Sequence, residues 1–131
     1  LEAQAQGYTL PSFVHETAVV ARNVIVGANC LLRELAAVSP FATLGDNVCV
    51  GVHVNVSHPA RIASHVFLAS GAVVCGGAVI GEACFVGANA MVRDKVIVGS
   101  RCIVGAGAVV MGSCDADGVY AAAPTPRRER L

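Results

Sequence analysis

Every sixth residue from Val14 onward is Val, Leu or Ile, without interruption, through Val20, Val26 and Leu32 to Val98, Val104 and Val110. Two places before each aliphatic stands a small or β-branched residue, from Ser12, Ala18, Val24 and Cys30 through to Cys102 and Ala108. The residue after the aliphatic is glycine at Gly27, Gly45, Gly51, Gly81, Gly87, Gly99 and Gly105. A helix repeats every 3.6 residues and a strand every two, so neither holds a six-residue phase over this distance. A β-solenoid does, with each hexad supplying one short strand and one corner. The aliphatic and the small residue point into a narrow prism, and glycine is expected to relieve strain where the chain bends. Three hexads then close a coil of about 18 residues, and residues i and i+18 stack at the inter-strand spacing of about 4.8 Å.

The fold class expected is therefore all-β, a parallel β-helix of hexapeptide repeats with roughly five to six coils over residues 12–113. Solenoid coils contact only their neighbours, so the ends need cover. Residues 1–11 are the candidate N-terminal leader or cap, and 114–131 the candidate C-terminal turn and extended tail. In that tail Asp117-Gly118 signals a turn, while Pro124 and Pro126 argue against a continued ladder. Arg127, Arg128, Glu129 and Arg130 read as a solvated charged end rather than a phosphate contact.

Composition narrows the function classes. Nine basic and nine acidic side chains balance, and the pI is near 7.0, which argues against nucleic acid or an anionic membrane surface as the main partner. With 55% apolar and 14% charged residues, the 131-residue chain is no disordered segment, and its length suits one domain. Mean hydropathy is +0.65, and no Lys, Arg, Asp or Glu lies between Arg61 and Glu82. That stretch is long enough for a membrane span. Yet it holds four glycines, two serines and His65, and the six-residue pattern runs on unchanged at both ends, so it reads as buried core. Residues 1–11 lack a basic segment followed by an apolar one, so no secretory signal is expected and a cytoplasmic location follows by default. Of six cysteines, Cys30, Cys84, Cys102 and Cys114 occupy the inward small position, and no CxxC occurs, so buried free thiols are expected rather than a metal site.

The hexads, for example Ile80-Gly81-Glu82-Ala83-Cys84-Phe85 and Val86-Gly87-Ala88-Asn89-Ala90-Met91, resemble those of the hexapeptide-repeat acyltransferases. The left-handed coil of that family is what the resemblance implies; general chain physics alone favours right-handed crossovers. The stretch from His58 to Val110, with Asp117-Gly118-Val119 and Pro124, is similar to the bacterial sugar acetyltransferases that modify sialic acid, bacillosamine or perosamine, and His58 to Gly81 aligns without a gap. The resemblance implies a homotrimer that binds acetyl-CoA between adjacent helices and acetylates an amine or hydroxyl of a sugar, often nucleotide-linked. It implies His58 as general base, the Gly76 amide as the donor to the thioester oxyanion, and Phe67, Ala88 and Ala106 as coenzyme contacts, the first being usually a histidine. No metal is expected, because the thioester is already activated.

The repeat fits this map. His58 and Gly76 are separated by three full hexads, which puts them at one corner in adjacent coils, and the same step separates Ala88 and Ala106 along a different corner column. Small residues let a thin pantetheine arm reach backbone groups. An imidazole, with an ordinary pKa near 6.5, can accept the proton of an attacking nucleophile at neutral pH, in direct transfer through a ternary complex.

Two features depart from the family. Relatives commonly place a carboxylate beside the histidine, whereas here the neighbours are Ser57 and Pro59, so Glu34 or another acid would have to come from an adjacent subunit. Many relatives also carry an N-terminal α/β domain for the nucleotide sugar, and Gly7-Tyr8 through Val14-His15 resembles the junction after it, so the chain reads either as a fragment or as a minimal enzyme. Two other readings stay open: a non-catalytic trimeric scaffold, and a zinc enzyme like the γ-class carbonic anhydrases. The latter share the five-residue spacing of His53 and His58, with a third ligand due near residue 17, where His15 sits in a different hexad position. His15, His53 and His65 otherwise read as exposed or corner residues, and Asn55 and Asn89 as corner residues.

Overall fold

A computed structural model describes residues 2–124. After a short helix at Glu2–Ala5, seventeen two-residue strands recur every six residues from Phe13–Val14 to Val109–Val110, and another follows at Val119–Tyr120. They form three parallel sheets. Sheet I has seven strands, from Phe13–Val14 to Val119–Tyr120; sheet II has six, from Val19–Val20 to Val109–Val110; sheet III has five, from Ile25–Val26 to Ile97–Val98. The register is the one the period demands: Phe67 pairs with Cys49 on one side and Phe85 on the other, Val73 with Asn55 and Met91, and Val79 with Arg61 and Ile97. The Phe67 N–H donates to the Cys84 carbonyl at 2.9 Å and the Ala69 N–H to that of Val86 at 2.8 Å. One lap is 18 residues, the step that also joins the Ala28 N–H to the Asp46 carboxylate above it. About six such laps make a parallel β-helix, consistent with the left-handed coil of hexapeptide repeats.

The inward positions are those the phase marks. Leu32, Val50, Leu68, Val86 and Val104 line the sheet I wall, and Ala36, Ala72, Ala90 and Cys102 fill the corners, all buried; among the described residues no polar or charged side chain is buried with them. Each fully buried Val, Leu or Ile contributes about 1.5–3 kcal/mol, so the column is the main source of stability. Cys30, Cys84, Cys102 and Cys114 are buried, Cys49 and Cys75 are half-buried, and all six are free thiols. Burial pushes the Cys84 thiol above its ordinary range. Among the described residues no helix is long and apolar enough to cross a membrane.

The corners correct two expectations. The glycines that follow the aliphatic do not serve the bend, since their φ values are not positive. They admit the next coil: a Cβ on Gly87 would lie 2.5 Å from the Ala106 nitrogen, and one on Gly81 2.5 Å from that of Ser100. The left-handed residue comes two places later, at Asn29, Leu35, Phe41, Asn47, His53, His65 and Asn89 among others, all with φ between 54° and 63°. Asn89 is thus a corner residue as expected, whereas Asn55 lies on a sheet II strand with its side chain exposed.

The two ends differ from the middle. At the first coil Val14 remains exposed and Val20 and Val26 only partly buried. At the other end the phase breaks after Val110, but the ladder does not. Cys114 bridges Val98, and Val119 and Tyr120 pair with Ile103 and Val104. The last lap is therefore 16 residues long, which is also the step from Arg101 to its partner Asp117. Tyr120 packs on the core, its hydroxyl donates to the Asp115 carbonyl at 3.2 Å, and Pro124 comes after the strand rather than in it. The expected charged end, Arg127 to Arg130, lies outside the described residues.

Candidate functional site

Three edges join the sheets, and the candidate residues occupy two of them. On edge II/III, Ser57-His58-Pro59 turns directly below Cys75-Gly76-Gly77. The corner is pinned by Ser57 N–H to Val74 O at 2.9 Å, Cys75 N–H to Val92 O at 2.9 Å and Lys95 N–H to Gly76 O at 3.0 Å. A Cβ at Gly76 would stand 2.8 Å from the His58 carbonyl oxygen, so only glycine brings the two corners this close without a shift. Among the described residues the Gly76 N–H donates to no other group. It is therefore an unengaged donor one coil above His58, whose side chain is exposed. The imidazole hydrogen bonds among the described residues belong to His15, with Thr17 at 2.9 Å, and His65, with Asn47 at 3.2 Å; His58 has no carboxylate on its ring. The Ser57 hydroxyl is turned away, donating to Asn55 Oδ1 at 3.1 Å.

On edge I/II, Ala88 and Ala106 stack one coil apart, tied by the Gly107 N–H to Ala88 O at 2.8 Å. Ala106 is exposed between Gly105 and Gly107, and nothing lies within 4 Å of a Cβ placed on Gly107, which holds φ +68°. This is a bare ledge with backbone groups in reach. Phe67 is on neither edge: it projects from sheet I and stacks on Phe85, with ring centroids 5.6 Å apart and planes within 12°. One protomer thus brings His58 to Gly76 and Ala88 to Ala106, and keeps the two pairs on separate edges of the prism.

Sequence reasoning passed over two cations on the His58 edge. Lys95 sits one coil above Gly77, its Cγ 3.5 Å from where a glycine Cβ would point, and Arg93 beside it pairs with Asp94 at 3.4 Å. The one-lap step from Gly77 to Lys95 is the signal that locates them. Glu34, the acid considered as a possible helper, is on edge I/II and bonded to Arg33 at 3.0 Å, which holds its carboxyl below the usual range. On edge III/I a shallow concavity is lined by Gln4, Leu10, Ala28, Asp46, Asn47 and His65, away from both alanines and from His58. No cluster of three metal-ligating side chains occurs among the described residues, and His15, His53 and His58 are not gathered.

Residues 77–112 match the family described as bacterial transferase hexapeptide, six repeats. A search of the curated proteins finds no match. Among solved structures, the acetyltransferase domain of PglB from Neisseria gonorrhoeae is 32% identical, with 86% of this chain and 55% of that one covered and a TM-score of 0.85. The same domain in complex with acetyl coenzyme A gives 32% identity, 92% and 59% coverage and a TM-score of 0.89. PerB from Caulobacter crescentus, in complex with CoA and GDP-perosamine, gives 27% identity, 92% and 58% coverage and a TM-score of 0.91. The chain therefore spans less than two thirds of the length of these relatives.

Proposed function

We propose that the chain, whose hexads match the bacterial transferase hexapeptide family over residues 77–112 and whose fold is similar to that of the acetyltransferase domain of PglB, transfers an acetyl group from acetyl-CoA to an amine of a nucleotide-linked sugar. The observation that carries this reading is the exposed His58 one coil below a Gly76 amide that has no partner among the described residues. The amine nitrogen attacks the thioester carbonyl, and its proton passes to His58. The developing oxyanion accepts a hydrogen bond from the Gly76 N–H. The C–S bond then breaks, the amide forms, and the CoA sulfur leaves with a proton. Ala88 and Ala106 offer the pantetheine arm backbone groups with no bulk in the way. The solved relatives with acetyl coenzyme A, and with CoA and GDP-perosamine, support the two substrates.

The working unit in this reading is a homotrimer. His58 and Gly76 on one edge and the alanines on another share a ligand when two prisms stand side by side. Sheet I presents Phe13, Leu31, Phe67, Phe85 and Ile103 as a row of exposed apolar side chains, 40–56% accessible, that suits a protein neighbour. Six free thiols suit a reducing compartment, which supports the cytoplasm.

The test is a screen of the purified chain with acetyl-CoA against UDP-, CMP- and GDP-linked amino sugars, following release of free CoA thiol. His58→Ala is expected to keep its melting temperature and association state while losing about 10²-fold or more in turnover. Undiminished turnover in that variant would remove His58 from the chemistry, and failure of the chain to bind acetyl-CoA in calorimetry would leave a scaffold instead.

A further inference from the structure

On the reading just given, His58 lacks the carboxylate that would hold its ring, and the geometry points to His53 of the adjacent protomer as the group that takes that place. His53 turns the corner on edge I/II, the edge that carries Ala88 and Ala106, two coils below Ala88. Its backbone is fixed there with φ 57° by its N–H donating to the Glu34 carbonyl at 3.1 Å, while its ring is exposed and makes no hydrogen bond among the described residues. The ladder imposes that φ at this corner position whatever the side chain, so what singles His53 out is an exposed ring without a partner among the described residues, on the edge that carries the alanine ledge.

Within one protomer the two histidines cannot meet. Five residues of extended chain along sheet II separate their Cα atoms by roughly 15 Å, with the exposed Asn55 between them. Between protomers they can. Closed cyclic symmetry about an axis parallel to the prisms carries no translation, so equal residues lie at equal heights. A coil rises about 4.8 Å per lap, so His53 stands only about 1 Å lower than His58 across the cleft, whereas Glu34 stands about 6 Å lower, one coil away, and is held by Arg33. The nitrogen of the neighbour's His53 then accepts the N–H of the His58 ring, which turns the opposite nitrogen toward the acceptor amine. His53 is a positioning residue, and each active site is built from two chains.

Subunit mixing tests this with the full chain. His53→Ala is expected to lower kcat about tenfold with KM for acetyl-CoA unchanged, and His53→Gln, which keeps an acceptor, to recover most of the loss. His53→Ala and His58→Ala trimers, each impaired, regain about a quarter of wild-type turnover when unfolded and refolded together at equal amounts, because that share of sites draws each intact residue from a different chain. Turnover that stays at the level of the better parent, or a fully active His53→Ala, overturns the inference. A second readout does not depend on activity: the doubly substituted His53→Cys/His58→Cys chain is expected to be joined into covalent dimers and trimers by a short bismaleimide, beyond the level seen with the native thiols of wild type or with either single variant. Cross-linking of the double variant with no acetyl transfer by the wild-type chain would sink the proposed reaction and keep the contact, and acetyl transfer by the wild type with no cross-linking of the double variant would sink the contact alone.

Discussion

Placing a methyl group on Gly76 tests the corner where His58 and the free amide meet. In Gly76→Ala the new Cβ falls 2.8 Å from the His58 carbonyl oxygen, with the His58 carbonyl carbon next at 4.0 Å. Ordinary carbon–oxygen contact needs about 0.6 Å more, and a single backbone atom stands in the way, so the two corners spread rather than the coil breaking. The cost expected is at the low end of overpacking, about 1 kcal/mol, or a few degrees in melting temperature. On the proposed mechanism turnover is expected to suffer more, because the spreading moves the Gly76 amide and His58 apart, and displacements of this size cost ten- to roughly a hundred-fold in rate. Thiol release under saturating acetyl-CoA measures the rate and a thermal melt the stability. Gly87→Ala is the contrast: there backbone atoms crowd the new methyl at 2.5, 2.7 and 2.8 Å, so its melting temperature is expected to fall further. Wild-type turnover in Gly76→Ala would refute both the close approach of the corners and the amide's part in the reaction.

Ala106→Trp is expected to weaken acetyl-CoA binding at least tenfold in calorimetry with little change in melting, since the side chain is exposed; unchanged affinity would move the coenzyme off edge I/II. Leu68→Ala, at a fully buried point of the sheet I wall, is expected to cost about 3 kcal/mol in denaturant unfolding, and a loss under about 1 kcal/mol would mean the prism collapses around the gap. Arg101 meets Asp117 through Nε–Oδ1 at 2.6 Å and Nη2–Oδ2 at 2.8 Å, across the shortened last lap, and holds the exposed Asp117 carboxyl below its usual range. Its small stabilisation is therefore present in full above the ordinary aspartate pKa and is lost as pH falls through the lowered folded value. Melting curves of wild type and Arg101→Ala are expected to differ slightly at neutral pH and to converge in acid; a gap that persists in acid would assign the contact no electrostatic part.

Much of the architecture was legible because a six-residue phase has so few physical solutions. Which residues face inward, that three hexads make a lap, and that His58 lies under Gly76 all followed from counting. The strained corner position was not legible, because Asn29, Leu35, Phe41, His53 and Lys95 share no chemistry; the ladder on either side imposes φ there whatever the side chain. The glycines after each aliphatic were legible as special but for the wrong reason, since close approach of the next coil leaves no local signature distinct from a bend. The ladder's persistence to Tyr120 also escaped, because the shortened last lap is out of phase with everything before it.

The order of residues determined by itself the prism, its core and the vertical neighbours of the side chains within the six-residue phase, because burying aliphatics on that period calls for a lap of three hexads. Only the folded chain decided that the Gly76 amide has no partner among the described residues and that the His53 corner takes a left-handed φ. Those depend on the direction in which each corner presents its groups, which periodicity does not encode and three-dimensional packing does.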